Sequence, residues 1–143
     1  MPGYGVPADT TGVLPWSWAV DLFDRVRNII LVTVRSDGRP HAMPVWGVWL
    51  RDVVCLSTAI TSVKSRNLLE NPRCVVTADD GDDALVLEGV AELSDLPDGF
   101  TDAYRRKYGQ TIEKGPIWIV RPTVAFAFQA TMEFTRTATR WQF

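Results

Sequence analysis

The chain changes its hydrophobic rhythm several times, and each change marks an element. From Pro15 to Asn28 the apolar residues recur at helical spacing. Trp18, Leu22, Phe23 and Val26 gather on one side, with Asp21 and Asp24 on the other. This predicts a helix opened at Pro15 or Ser17 and closed at Asn28. From Ile29 the rhythm is that of strands. Ile29–Val34 is a continuous β-branched run, Ser36–Arg39 is a hairpin turn with Gly38 supplying the unusual backbone angle, and Pro40–Leu50 alternates, with Met43, Val45, Gly47 and Trp49 on one face. Pro44 cannot donate to a ladder and marks an edge or a bulge. Arg51-Asp52 is a second tight turn, and Val53–Thr58 a third strand.

A short helix is expected from about Ser62 to Glu70, stopped by Asn71-Pro72, because proline disfavours helical angles in the residue before it. Arg73–Asp79 reads as a fourth strand, Asp79–Asp83 as an acidic turn, and Ala84–Leu93 as a fifth strand broken by Gly89. Pro97–Tyr108 reads as a second long helix with Phe100, Ala103, Tyr104 and Tyr108 on one side. Pro116–Arg121 and Thr123–Gln129 read as two further strands interrupted by Pro122, and the final T-A-T-R-W-Q-F as a short strand. Residues 1–14 show no periodicity and read as a loose arm ahead of one domain, 15–143. Hairpins that close on themselves, with helices inserted, imply a mainly β (α+β) antiparallel barrel with peripheral helices.

Composition narrows the function. A chain of 143 residues is one domain with room for a core. A formal charge of −2 argues against a general nucleic-acid binder. No apolar run reaches membrane-span length and no basic, apolar leader opens the chain, so a cytoplasmic location is expected. One histidine and two cysteines without C-x-x-C spacing argue against a metal site. There is no G-x-S-x-G elbow, no G-x-x-x-x-G-K-[ST] loop and no G-x-G-x-x-G. Without a self-sufficient catalytic set, a borrowed cofactor is the economical route to enzyme activity.

The segment Thr58–Pro72, T-A-I-T-S-V-K-S-R-N-L-L-E-N-P, supplies the best candidate site. Thr58, Thr61, Ser62 and Lys64 gather at a helix start, whose free N–H groups and partial positive charge favour an anion. An ordinary serine cap beside a solvated lysine is the bland alternative. Among the six tryptophans, one or two could line a pocket for a planar ring, while core and dimer packing is the commoner use.

Five stretches in order give the chain a resemblance. They are Asp37-Gly38-Arg39-Pro40-His41-Ala42, then Pro44-Val45-Trp46, then Thr58-x-x-x-Ser62-x-Lys64-x-x-Asn67-Leu68-x-x-Asn71-Pro72, then Glu88-Gly89-x-Ala91-Glu92, and Thr139-Arg140-Trp141-x-Phe143. Together they resemble the pyridoxamine 5′-phosphate oxidase-like split β-barrel proteins, the flavin/deazaflavin oxidoreductases. The likeness is closest to small actinobacterial-type members that use coenzyme F420. It implies a six-stranded split barrel forming a homodimer, with two cofactor sites at the interface. It implies that Thr58, Ser62 and Lys64 hold the cofactor phosphate and that Pro44, Val45 and Trp46 lie along the ring. Asn67 would hold the loop or touch the tail. His41, Trp118, Arg140 and Trp141 would come near the substrate or the partner chain. FMN-binding members place arginine before the lysine, where this chain has Val63, which favours F420 over FMN as cofactor. Arg66, one turn on, is a candidate for the longer anionic tail of F420. The implied activity is hydride transfer from reduced F420 to an electron-poor acceptor. The alternatives are an FMN enzyme of the same fold and a non-catalytic carrier.

Overall fold

The computed structural model describes residues 13–130 and 137–143. The expected arm, 1–14, falls outside them except for exposed Val13 and buried Leu14, whose N–H donates to Thr139 Oγ1 at 2.9 Å.

In chain order the elements are α1 (Trp16–Arg25), β1 (Ile29–Val34), β2 (Pro40–Leu50), β3 (Val53–Ser57), α2 (Val63–Glu70), β4 (Arg73–Asp79), β5 (Asp83–Ser94), α3 (Phe100–Tyr108), β6 (Ile117–Gln129) and β7 (Thr139–Gln142). All strand pairs are antiparallel. The sheet runs β3-β2-β1-β4-β5-β6-β7, and β3 also pairs with β6, so six strands close into a barrel. Strand β6 is long enough to serve two partners along one edge. Trp118–Val120 pairs with β3, and Val124–Ala127 pairs with β7. The mainly β barrel with peripheral helices expected from the hairpin pattern is the observed fold.

Alternation explains the core. Ile29 and Leu31 of β1, Val76 and Ala78 of β4, and Leu85 and Leu87 of β5 point inward, where Leu22 and Phe23 of α1 pack against them. A second apolar cluster lies under α3. Phe100, Ala103, Tyr104 and Tyr108 cover Val48 of β2, Cys55 of β3, and Ile117 and Ile119 of β6. Cys55 and Cys74 are both free and buried, one in each cluster.

Helix α2 seals one end of the barrel. Its buried residues are Ser65, Asn67 and Leu68. Asn67 Nδ2 donates to Thr33 Oγ1 at 2.9 Å; Ser65 Oγ accepts from Trp118 Nε1 at 3.0 Å and donates to Ala59 O at 2.9 Å. These buried polar groups are paired, as a stable interior requires.

Some local expectations change and one holds. β5 and β6 are not broken at Gly89 and Pro122. Each continues through, and the register shifts once, between Glu88 and Gly89, with Gly89 opposite Pro122. The bulge absorbs the proline that lacks a ladder donor. Helix α3 begins at Phe100 rather than Pro97, because Gly99 takes a left-handed conformation (φ 84°) as its cap. Pro44 sits where β2 has β1 as its neighbour (Ile30↔Pro44), before pairing with β3 begins at Trp46↔Ser57. The edge reading of Pro44 therefore holds.

Candidate functional site

A cavity of about 370 Å³ opens where β2, the end of β3, α2 and α3 meet. Strand β2 contributes Pro44, Val45 and Trp46; the β3 end contributes Ser57 and Thr58; α2 contributes Lys64. Asn28 and Tyr104 complete the lining. The Pro44–Trp46 segment and the Thr58–Lys64 segment, on either side of the β2–β3 hairpin, therefore face one space.

The local chemistry follows from the chain. Ser62 caps α2 with its Oγ, which accepts from the Ser65 N–H at 3.2 Å. The N–H groups of Val63 and Lys64, at the first turn, have no acceptor within the helix. Lys64 is half-buried and forms no ion pair among the described residues. An unpaired ammonium beside free helix N–H groups is a donor set suited to an anionic group.

Trp46 is fixed from both sides. Its Nε1 donates to Asn28 Oδ1 at 3.0 Å, its ring stacks on Tyr108 with centroids 4.6 Å apart and planes 6° from parallel, and the Arg27 guanidinium lies 4.9 Å from its centroid. Tyr104, in the cavity wall, has its hydroxyl pKa raised by burial, with a smaller opposing effect from a hydrogen bond with Ser57.

His41 lies outside the lining but within the field of the site. Burial, then the charges of Arg35 and Lys64, hold its imidazole pKa below the usual 6.5. Its Nδ1 is buried without a hydrogen-bond partner.

The other candidates stand elsewhere. Ser62 acts as the helix cap, and Asn67 is turned under α2 onto Thr33. Trp118 is core, 2% exposed. Arg140 is exposed on β7 opposite Phe126, and Trp141 packs edge-on against Trp16 of its own chain at 5.0 Å. Arg66 lines a separate polar depression of about 240 Å³ with Arg35, Asp37 and Arg39. The lining residues that sequence reasoning missed are Asn28, Ser57 and Tyr104. Tyr104 carried a signal, the aromatic face of α3, but only the docking of that helix shows what the face meets. No group of three or more histidines, cysteines or acids suited to a metal occurs among the described residues, nor any helix long and apolar enough to cross a membrane.

The closed six-strand barrel defines the class of fold, and comparison with known proteins agrees. The chain belongs to the pyridoxamine 5′-phosphate oxidase family, which it matches over residues 19–139. Among solved structures, one described as an F420 reductase is 26% identical, with a TM-score of 0.61, covering 73% of this chain and 93% of that one. An FMN-binding, pyridoxamine 5′-phosphate oxidase-related protein from Nostoc punctiforme is 14% identical, with a TM-score of 0.64 and coverage of 91% and 97%. The heme storage protein HutZ from Vibrio cholerae is 14% identical, with a TM-score of 0.61 and coverage of 74% and 88%. The last two share the fold. No curated protein matches the sequence.

Proposed function

We propose that this chain is an oxidoreductase that binds coenzyme F420 in the Pro44–Lys64 cavity and serves an electron-poor small acceptor: an enone, quinone, nitro compound or tetrapyrrole. One observation carries the reading. Pro44–Trp46 and Thr58–Lys64 converge on a single cavity with an unpaired lysine at an open helix start. The 26% identity to a structure described as an F420 reductase supports the choice of cofactor, as does Val63 where FMN-binding members carry arginine.

The residues present fit such a group. Lys64 and the first N–H groups of α2 would hold its anionic tail, and Thr58 would add a hydroxyl donor. Backbone of Pro44 and Val45 would border the ring's polar edge. Trp46, locked by Asn28 and Tyr108, would present a flat apolar wall that keeps water off one side. The bound deazaflavin supplies hydride chemistry; the protein supplies position and shelter, which account for much of a rate gain. No side chain needs to act as an acid, since water can protonate the product.

We also propose that the chain works as a homodimer. On the outside of the barrel, Val32 and Val34 of β1, Val75 of β4 and Val90 of β5 line an apolar depression of about 540 Å³, flanked by Arg73 and Glu88. A two-fold copy can cover this face and set each arginine near the other chain's glutamate.

The test is titration of purified protein with F420 and with FMN. F420 fluorescence quenching with weak or no FMN binding is expected. Lys64→Ala should weaken F420 binding by about tenfold or more, the scale of one charged hydrogen bond, with the fold intact. An unchanged affinity rejects the tail site. A yellow, FMN-loaded protein replaces F420 with FMN, and tight binding without turnover over a broad acceptor panel makes the chain a carrier.

A further inference from the structure

Strands β1 and β2 stay paired only as far as Ile29↔Val45. Two steps on, the same register would place Gly47 opposite position 27, but there the chain has already turned out of α1, whose cap is Val26. The Gly47 peptide is therefore left without a β1 partner, level with the stretch of chain just before β1 begins. A buried peptide left unbonded is costly.

Helix α3 fills the vacancy with two consecutive side chains. The Tyr108 hydroxyl accepts from the Gly47 N–H at 2.8 Å and donates to the Gly47 carbonyl at 2.8 Å, as a strand residue would. Lys107 Nζ donates to the same carbonyl at 3.0 Å and to the Phe23 carbonyl, in the last turn of α1, at 2.7 Å. The approach is close on the inner side too. A Cβ at Gly47 would lie 2.7 Å from Leu56 Cδ2 and 2.9 Å from Ile29 Cδ1, so β2 has little freedom to shift there. The neighbouring residue is Trp46, in the cavity wall, stacked on the Tyr108 ring.

We propose that Lys107 and Tyr108 are positioning residues for the cofactor cavity: by gripping the Gly47 peptide from α3 they hold β2 where Pro44–Trp46 can form the cavity wall. This rests on the reading of that cavity as the cofactor site.

The grip has a charge state. From α1, Lys107 meets the Asp24 carboxylate and the Phe23 ring, 4.5 Å from Nζ to centroid. On its own helix it has Arg106, with which it shares a small depression, and the Tyr108 ring at 5.4 Å. From β2 it meets the Gly47 carbonyl, and Val48 and Trp49 line the same depression. Arg27, between α1 and β1, stands 5.7 Å from the Tyr108 centroid. Burial brings the Lys107 pKa down to about 8, against the support of Asp24. At neutral pH the ammonium grips with charge-assisted bonds; above its pKa the neutral amine grips more weakly.

The experiment follows the Gly47 amide by ¹H–¹⁵N NMR from neutral to alkaline pH, beside F420 affinity over the same range. In the wild type the Gly47 signal should titrate with a midpoint of about 8, and F420 binding should weaken through the same midpoint. In Lys107→Met both pH dependences should vanish, with affinity at neutral pH already about tenfold lower. Lys107→Arg should keep the affinity and lose the titration. Tyr108→Phe should weaken binding and leave the midpoint in place. A Gly47 amide indifferent to pH, or a Lys107→Met protein that melts earlier yet binds F420 as before, overturns the proposal. A titrating Gly47 in a protein that binds neither F420 nor FMN overturns the cavity assignment instead, because the NMR signal needs no ligand.

Discussion

His41 is the chain's single imidazole, and its setting makes it a reporter of what binds beside it. Its folded pKa is depressed by burial and by Arg35 and Lys64. The unfolded chain therefore takes up this proton first as pH falls. The stability His41 contributes is complete above about 6.5 and is lost as pH drops through that value toward the folded pKa. An anion seated on Lys64 would cancel one of the two cations that hold the ring neutral. We expect the His41 pKa, read from its lone ring-proton signals by NMR, to rise when F420 binds. A titration curve that does not move would place the anion away from Lys64. Much of the site was legible at this scale, because Pro44–Trp46 and Thr58–Lys64 are local patterns. Asn67 shows the limit of that reading. An asparagine at helical spacing after a lysine looks the same in sequence whether it touches a ligand or, as here, donates to a buried threonine on another strand.

Among the elements, the starts of β1 to β4 and the tight turns at 36–39 and 51–52 were legible, since alternation and turn residues are written within a few positions. The Arg51-Asp52 turn needs left-handed backbone at both residues (φ 49° and 64°), which the tight spacing between β2 and β3 enforces. The joint of β5 and β6 was not legible. A glycine in one strand and a proline in another each read as a break. Only the pairing of Gly89 with Pro122 shows that the two irregularities are one bulge shared between neighbours. The glycine is sterically required. A Cβ there would lie 2.5 Å from the Arg121 carbonyl oxygen, a backbone atom that cannot swing aside. Gly89→Ala should destabilise the fold by about 1–3 kcal/mol, the usual range for forced overpacking. Urea unfolding would measure this, and a midpoint equal to the wild type would mean the bulge relaxes freely.

For the whole molecule, closure through β3 and β6 gives every strand of the barrel two neighbours and leaves the outer face of β1, β4 and β5 as the surface a second copy would use. Val90, 42% exposed, lies in that depression. Val90→Lys should place two buried charges at a two-fold contact and shift the protein to monomer by light scattering, with its circular dichroism unchanged. A wild type that is already monomeric at micromolar concentration removes the dimer from the proposed function.

The two thiols have a bearing on the proposed chemistry. Cys55 lies under α3 and Cys74 inside the barrel, and burial pushes their pKa values up to about 11 and about 12. Neither presents a thiolate at neutral pH, and reactivity toward oxidants belongs to the thiolate. In the oxidoreductase proposed above, the protein's own sulfhydryls would therefore stay electrically silent, and its redox behaviour would be set by what it holds rather than by what it is made of.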